Sequence, residues 1–294
     1  MANLKAIRIR ITSVKSTRQI TSAMKMVSAA KLRKAQDKIV RLRPYAGKLH
    51  EILVGLSQSL ADSEVDNAYG RVSPPHKVLI VVITSNRGLC GAFNANVIKE
   101  ARRIVSEKYY DQFKNGNLKL LTIGKKGFDY FRKQSVNLLP EQNRLLNDLT
   151  FDNVAMVADQ IMQGFTTGDF DRVELIYNQF KNAAVQNLTS EMFLPVQTVW
   201  PGKGIGIPVD YIYEPTREEI VKELIPKSLK IQFYKAILDS FVAEHGARMT
   251  AMHKATDNAT EMIRDLTLQY NKTRQATITN QILEVVSGAE ALRG

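Results

Sequence analysis

Apolar residues recur at alternating strides of three and four along the start of the chain. The positions are Leu4, Ile7, Ile11, Val14, Arg18, Thr21, Lys25, Ser28, Leu32, Ala35, Ile39, Leu42, Ala46, Leu49, Leu53, Leu56 and Leu60. A seven-residue repeat keeps one stripe of a helix facing a partner helix, so the pattern predicts a coiled-coil helix over residues 1–60. Arg18, Thr21, Lys25 and Ser28 interrupt the stripe. Beside that gap, Ile20, Met24 and Val27 form a second apolar stripe, and a change of contact face is expected there. Pro44 lacks an N–H and should kink this helix without ending it, because the stripe resumes at Ala46.

The other end of the chain mirrors the first. Thr216–Arg217–Glu218–Glu219 reads as a capping box, which starts a helix. A seam follows through Ile231, Tyr234, Leu238, Phe241, His245, Arg248, Met252, Ala255, Ala259, Met262 and Leu266, then shifts to Tyr270, Arg274, Ile278, Ile282, Val285, Ala289 and Leu292. The pattern predicts a second coiled-coil helix over 216–292, about 115 Å long at 1.5 Å per residue. A compact chain of this length has a radius of gyration near ~19 Å, so such a helix cannot fit inside a globule. Two long end helices joined through the middle of the chain predict an antiparallel pair, a shaft.

Residues 77–196 read differently. Val78–Thr84 is a continuous apolar, β-branched run, as in a strand buried on both faces. A glycine turn, Ser85–Gly91, leads to a helix from about Phe93 to Tyr109. A second strand is expected at Leu118–Ile123, a short helix at Gly124–Lys133, and a helix at Asp152–Phe165 with Asp152 as N-cap. Strands at Arg172–Phe180 and Thr189–Val196 complete a small, parallel, Rossmann-like α/β domain. A Pro/Gly-rich stretch from Pro195 to Pro215 returns to the last helix.

Charge sharpens the picture. The chain has 41 basic and 29 acidic residues, a net charge of +12. Met1–His50 holds 13 of the cations and a single acid, Asp37, so this segment alone carries the whole excess. A basic helix on a neutral body is suited to meet something negative. No run of about 18 apolar residues predicts a membrane span. The single cysteine, Cys90, allows no intrachain disulfide and suits a reducing compartment. An Arg-rich, acid-poor start also fits a mitochondrial leader, but the seam runs unbroken past the usual length of one.

Few residues point to catalysis. No G-x-x-x-x-G-K-[ST] occurs, although Gly124–Lys125–Lys126 superficially invites one. Gly88-x-x-Gly91 could bring backbone N–H groups to a phosphate, but a tight strand-to-helix turn explains it as well. Cys90 has no base paired with it in sequence and reads as a small core residue. His50, His76, His245 and His253 lack metal-ligand spacing. No cofactor, metal or catalytic residue is expected. The basic run Lys31–Lys34 fits either a solvated face or a docking face.

Three blocks carry a resemblance. IRIRITSVKSTRQITSAMKMVSAAKLRKAQ near the start, IVVITSNRGLCGAFN in the middle and YNKTRQATITNQILEVVSGAEA near the end are similar to the gamma subunit of F-type ATP synthases, in that order. The last block has Ile278-Thr279, Glu284 and Gly288-Ala289 in place, but Gln281 stands where the family usually has Glu. The cysteine insertion of chloroplast relatives is absent. The resemblance implies a bent antiparallel coiled coil inside three alpha and three beta subunits, with the α/β domain on a membrane c-ring. It implies a proton-driven rotor without ATP chemistry of its own, on the cytoplasmic side of the bacterial membrane and without lipid insertion. It further implies that Met24, Lys25, Lys31 and Arg33 face acidic loops of the beta subunits. Arg248, Gln275 and Thr279 would pair with the Met24 region or contact the stator, with Arg274 and Gln281 alongside. Tyr211 and Tyr213 would dock the epsilon-type subunit and the ring. Two other readings are a basic coiled coil that binds nucleic acid and a Rossmann-like enzyme with helical extensions. The second lacks a cofactor fingerprint.

Overall fold

Six aliphatic side chains in a row, Val78–Ile83, are all fully buried, and the central domain is built around them. The structure is a computed structural model that describes residues 4–59, 68–71, 73–196 and 217–291. Tyr211, Tyr213, Thr216 and Leu292 lie outside the described residues. The elements are α1 (Leu4–Ser59), β1 (Val78–Ile83), α2 (Phe93–Glu107), α3 (Tyr110–Lys114), β2 (Leu118–Ile123), α4 (Lys125–Phe131), β3 (Asn137–Leu138), α5 (Phe151–Thr166), β4 (Arg172–Phe180), β5 (Gln186–Leu194) and α6 (Arg217–Ala291).

The strands form one sheet in the order β3-β2-β1-β4-β5. β1 lies parallel to β2 and β4, and β3 lies parallel to β2. β5 runs antiparallel to β4, so the sheet is mixed and not wholly parallel as expected. The connection explains the difference. Only Lys181–Val185 separates β4 from β5, and Asn182 Oδ1 accepts from the N–H groups of Ala184 and Val185 at 2.9 and 2.7 Å. A link this short makes a hairpin, while a parallel crossover needs a dozen residues or more.

α2 packs Val97, Ala101 and Ile104 against Val78, Ile80 and Val82 on one face of the sheet. On the other face, Val157 and Ile161 of α5 border a groove with Leu79 and Leu121. α5 is capped by Thr150, whose hydroxyl accepts from Asn153 N–H at 3.4 Å, and not by Asp152. Asp152 sits in the first turn, where its charge favours the positive end of the helix dipole.

The chain divides into two compact units, Met1–Ala29 with Arg248–Gly294, and Ala30–Ala247. In the second unit, Leu42, Ala46 and Leu49 of α1 pack with Leu224, Ile225 and Ile231 of α6. There α6 is buried on most sides from Leu229 to Gly246. Phe233 meets Phe193 of β5 at a ring distance of 5.5 Å, and Tyr234 meets Phe151 of α5 at 5.7 Å. Phe193 and Phe233 are fully buried, and each contributes on the order of 2–3 kcal/mol of transfer free energy. Pro44 and Pro226 both lie inside helices that continue through them.

In the first unit, α1 and α6 pair directly. Arg8 contacts Tyr270, Thr21 contacts Thr256 and Lys25 contacts His253. As the α1 partner climbs, the α6 partner falls back step for step, which defines an antiparallel pair in constant register.

Candidate functional site

The seam between the paired helices is polar where a coiled coil is ordinarily apolar. Thr21 and Ser28 of α1 are buried, as are Met252, Ala259 and Leu266 of α6. Thr256 Oγ1 donates to Thr21 Oγ1 at 2.8 Å, and Thr21 Oγ1 donates to the carbonyl of Arg18 at 3.0 Å. One hydroxyl bond thus bridges the helices inside the interface. The face does not change at this gap, contrary to the expectation from Ile20, Met24 and Val27. Ile20 and Val27 are 60% and 57% exposed, while Thr21 and Ser28 keep the seam in its original register.

Constant register also corrects the far end of the seam. Met262, Arg274 and Ile278 point outward, and Ile263, Leu266, Tyr270, Thr273 and Thr277 take the inner positions. From Met252 to Thr277 the inner positions keep alternating strides of three and four, so the stripe does not relax into strides of four beyond Leu266.

The outer surface of α1 combines cations with bare aliphatics. Lys5, Arg8, Arg10, Lys15, Arg18, Lys31, Arg33, Lys34, Lys38 and Arg41 are exposed, and so are Ile9, Ile20, Met26, Val27 and Val40. α6 carries its own bare stretch, with Ile278, Ile282, Leu283, Val285 and Val286 each about half exposed or more. Isolated exposed leucines are ordinary, but five large aliphatics within nine residues of one helix make a patch suited to contact another chain.

The crevice where Rossmann-like folds hold ligands lies at the carboxyl ends of strands on either side of a reversal in strand order. Here that place is between β1 and β4, and it is filled by the chain itself. Ala243 and Ala247 of α6 pack there with Cys90, Phe93 and Phe180. Gly246 lets the backbones close, since a Cβ at that position would sit 3.3 Å from Ala183 Cα. The amides that could cradle a phosphate at α4 are also taken. Lys125 N–H donates to Asn86 Oδ1 at 3.0 Å, Lys126 N–H to the Ser85 carbonyl at 3.1 Å, and Gly127 N–H to Thr84 Oγ1 at 2.9 Å. Gly124, at φ +105°, allows this closure, because a Cβ there would fall 2.2 Å from the Thr84 carbonyl oxygen. Cys90 is buried, with its Sγ 3.2 Å from Asn94 Nδ2. Among the described residues no group of His, Cys, Asp or Glu is arranged to hold a metal.

The comparisons with known proteins agree with one another. A family model described as ATP synthase matches residues 3–292. The ATP synthase gamma chain of Flavobacterium johnsoniae is 57% identical over 294 residues, covering 100% of both chains. That of Flavobacterium psychrophilum is 56% identical with the same coverage. The chain belongs to the ATP synthase gamma family. A chain in the structure of the Euglena gracilis mitochondrial ATP synthase (OSCP, F1 and c-ring) shares the fold at 23% identity and a TM-score of 0.68, over 98% of this chain and 94% of that one. A chain of the Tetrahymena thermophila mitochondrial central stalk and c-ring matches at 25% identity and a TM-score of 0.56, over 80% of this chain and 99% of that one. None of these matches supports a nucleic-acid-binding coiled coil.

Within this gamma-family chain, the residues singled out from sequence fall into three groups. Met24 and Lys25 are half-buried at the edge of the helix pair, and Lys25 Nζ lies 3.3 Å from His253 Nδ1. Lys31, Arg33, Arg274, Gln275, Thr279 and Gln281 are exposed. Arg248 is buried at 6% exposure. Gln275 and Thr279 do not approach Met24. His253 stands opposite Lys25, and Gln275 lies roughly 33 Å farther along the helix at 1.5 Å per residue. Thr279 instead donates its hydroxyl to the Gln275 carbonyl at 3.0 Å.

Several buried polar residues had no sequence signal. Asn178 Nδ2 donates to the Phe93 carbonyl at 3.0 Å and ties β4 to the start of α2. Glu174 is 2% exposed and takes both Lys108 and Tyr109 as donors. Burial pushes the Tyr109 phenol, which donates to Glu174, well above its ordinary range. Each sits in a segment whose apolar neighbours read simply as strand or helix.

Proposed function

We propose that this chain is the central rotor shaft of a rotary ATP synthase and has no active site of its own. The observation that carries the reading is the paired-helix unit, which combines a packed antiparallel seam with an outer surface of cations and bare aliphatics. A surface of that kind is suited to turn inside a collar. The aliphatics of α6 slide against apolar walls, and the cations of α1 meet acidic groups as they pass. The coverage of full-length gamma chains at 56% and 57% identity supports the same role.

On this reading, three alpha and three beta subunits form the collar, and ATP chemistry belongs to the beta subunits. The closed crevice between β1 and β4, filled by α6, fits a domain that has given up ligand binding for docking. That domain stands on the epsilon-type subunit and the c-ring, with Tyr211 and Tyr213 as contacts. Coupling contacts fall to Met24, Lys25, Lys31 and Arg33 on α1, and to Arg274, Gln275, Thr279 and Gln281 near the end of α6. Arg248 supports the shaft from within. No described helix is long and apolar enough to cross a membrane, which suits a peripheral component on the cytoplasmic side of the bacterial inner membrane.

Affinity purification of the full-length chain from its native cells tests the proposal. Alpha, beta and epsilon subunits should be recovered with it in fixed ratio. Recovery with nucleic acid in place of those subunits, lost steeply as salt rises, would overturn it.

A further inference from the structure

His253 on α6 sits between two groups of opposite charge. Its Nδ1 lies 3.3 Å from Lys25 Nζ on α1 and 3.4 Å from Asp257 Oδ2, one turn along its own helix. An ammonium only donates and a carboxylate only accepts, so this nitrogen serves one of them at a time. Without a hydrogen, Nδ1 accepts from Lys25 and joins the two helices. With a hydrogen, it donates to Asp257 and gives up Lys25. We propose that His253 is a proton-operated latch on Lys25, closed across the helix pair while the ring is neutral and opened when the ring takes a proton from solvent.

The surroundings leave the choice to these three groups. The α1 residues one turn from Lys25 are Thr21, Ser22, Ser28 and Ala29, all uncharged. The α6 residues one turn from His253 are Met249, Thr250, Thr256 and Asp257, and of these Asp257 alone is charged. Lys254, next along the chain, is exposed. The His253 side chain is 56% exposed, so a proton reaches the ring from water without any parting of the helices. Histidine is the side chain that ordinarily changes charge between about pH 5 and pH 8. Lys25 is half-buried, and loss of Nδ1 as its acceptor frees the ammonium to turn outward. On the rotor reading, the open latch presents Lys25 to the collar. The latch itself is a property of the helix pair and does not depend on that reading.

Nuclear magnetic resonance of the full-length chain, isotope-labelled at the ring nitrogens of its four histidines, tests the latch. The His253 signals are those lost in His253→Gln. At about pH 8.5, where imidazole is ordinarily neutral, Nδ1 of His253 should carry no hydrogen. Lys25→Met should move the ring hydrogen to Nδ1, because Asp257 is then the partner that remains. Trace acetylation reads the release of Lys25, as its labelling relative to exposed Lys31 of the same chain. That ratio should rise about threefold from about pH 8.5 to about pH 5.5, as expected when a hydrogen bond of ordinary net worth is lost. In His253→Gln it should stay constant, because the amide oxygen accepts at every pH. A hydrogen on Nδ1 of the wild-type chain at the higher pH, a tautomer unmoved by Lys25→Met, a ratio that stays flat in the wild type, or one that rises equally in His253→Gln would overturn the proposal.

Discussion

Thr256 donates its hydroxyl to Thr21 at 2.8 Å across the two long helices, in a layer of the seam that the heptad pattern would fill with aliphatic side chains. Both hydroxyls also lie within bonding distance of carbonyls on their own helices, Thr21 of Arg18 and Thr256 of Met252 at 2.8 Å. The pair therefore fixes register without leaving an orphaned polar group, as single polar seam residues do in other coiled coils.

Replacing either threonine with valine should cost about 0.5–1.5 kcal/mol, the net worth of one hydrogen bond. Replacing both should return stability to the wild-type value or above it, because the bridge is exchanged for buried methyl groups. Urea unfolding of the four variants gives the coupling directly. A coupling energy near zero would show that the bridge carries no stability.

Glu191 sets a pH dependence with a definite sign. Burial raises its folded-state pKa above the ordinary carboxylate value, partly offset by Gln232 as a donor and by the charge of Lys235. Between the unfolded and folded pKa values the folded chain holds the extra proton. The associated stability is fully present at low pH and is lost as pH rises through the folded pKa. Glu191→Gln cannot ionise, so its stability relative to wild type should increase on going from about pH 4 to pH 8. Parallel unfolding curves at the two pH values check this. A constant difference between the proteins would contradict the assignment.

Much of this arrangement was legible in the chain. The stride of three and four from Leu4 to Leu49 marks the inner face of α1, and of these positions only Arg18 is exposed. The unbroken β-branched run of Val78–Ile83 marks the central strand. Ile20 and Val27 misled because apolar character alone does not say whether a partner lies within the chain or outside it. Thr21 misled in the opposite sense, since its partner, Thr256, lies far away in sequence. The direction of β5 was hidden because a strand pattern has no polarity, although Asn182 in the link was a usable turn signal. The contacts of Glu191 and Asn178 needed the tertiary structure, because both meet residues from other elements.

Met24 sits half-buried beside Lys25 at the edge of the pair. Met24→Lys should leave the complex assembled but lower the protons pumped per ATP hydrolysed. On the proposed function, an added cation at this edge would gain acidic partners on the collar, and a desolvated pair of that kind can be worth several kcal/mol, against ~0–1 for an exposed one. Proton uptake into membrane vesicles, normalised to hydrolysis, is the measurement. An unchanged ratio would remove this face from the coupling path.

The end of α6 should work through bulk. Gln281 is exposed and lies among Ile278, Ile282 and Val285, which are 48%, 57% and 72% exposed. Gln281→Glu keeps the shape and should change steady-state activity by less than about threefold, under ~0.7 kcal/mol in barrier height. Deleting residues 278–294 removes the aliphatic patch and should reduce activity more. If the single charge proves the more damaging change, specific electrostatics and not steric support operates there.

The central claim is that this chain turns within its partners, and rotation can be watched directly. The complex is fixed to a surface through its beta subunits, and a bead is attached to the exposed face of the α/β unit. ATP should drive the bead in one direction, in steps that track hydrolysis. A complex that hydrolyses ATP at its normal rate while the bead stays still would contradict the account.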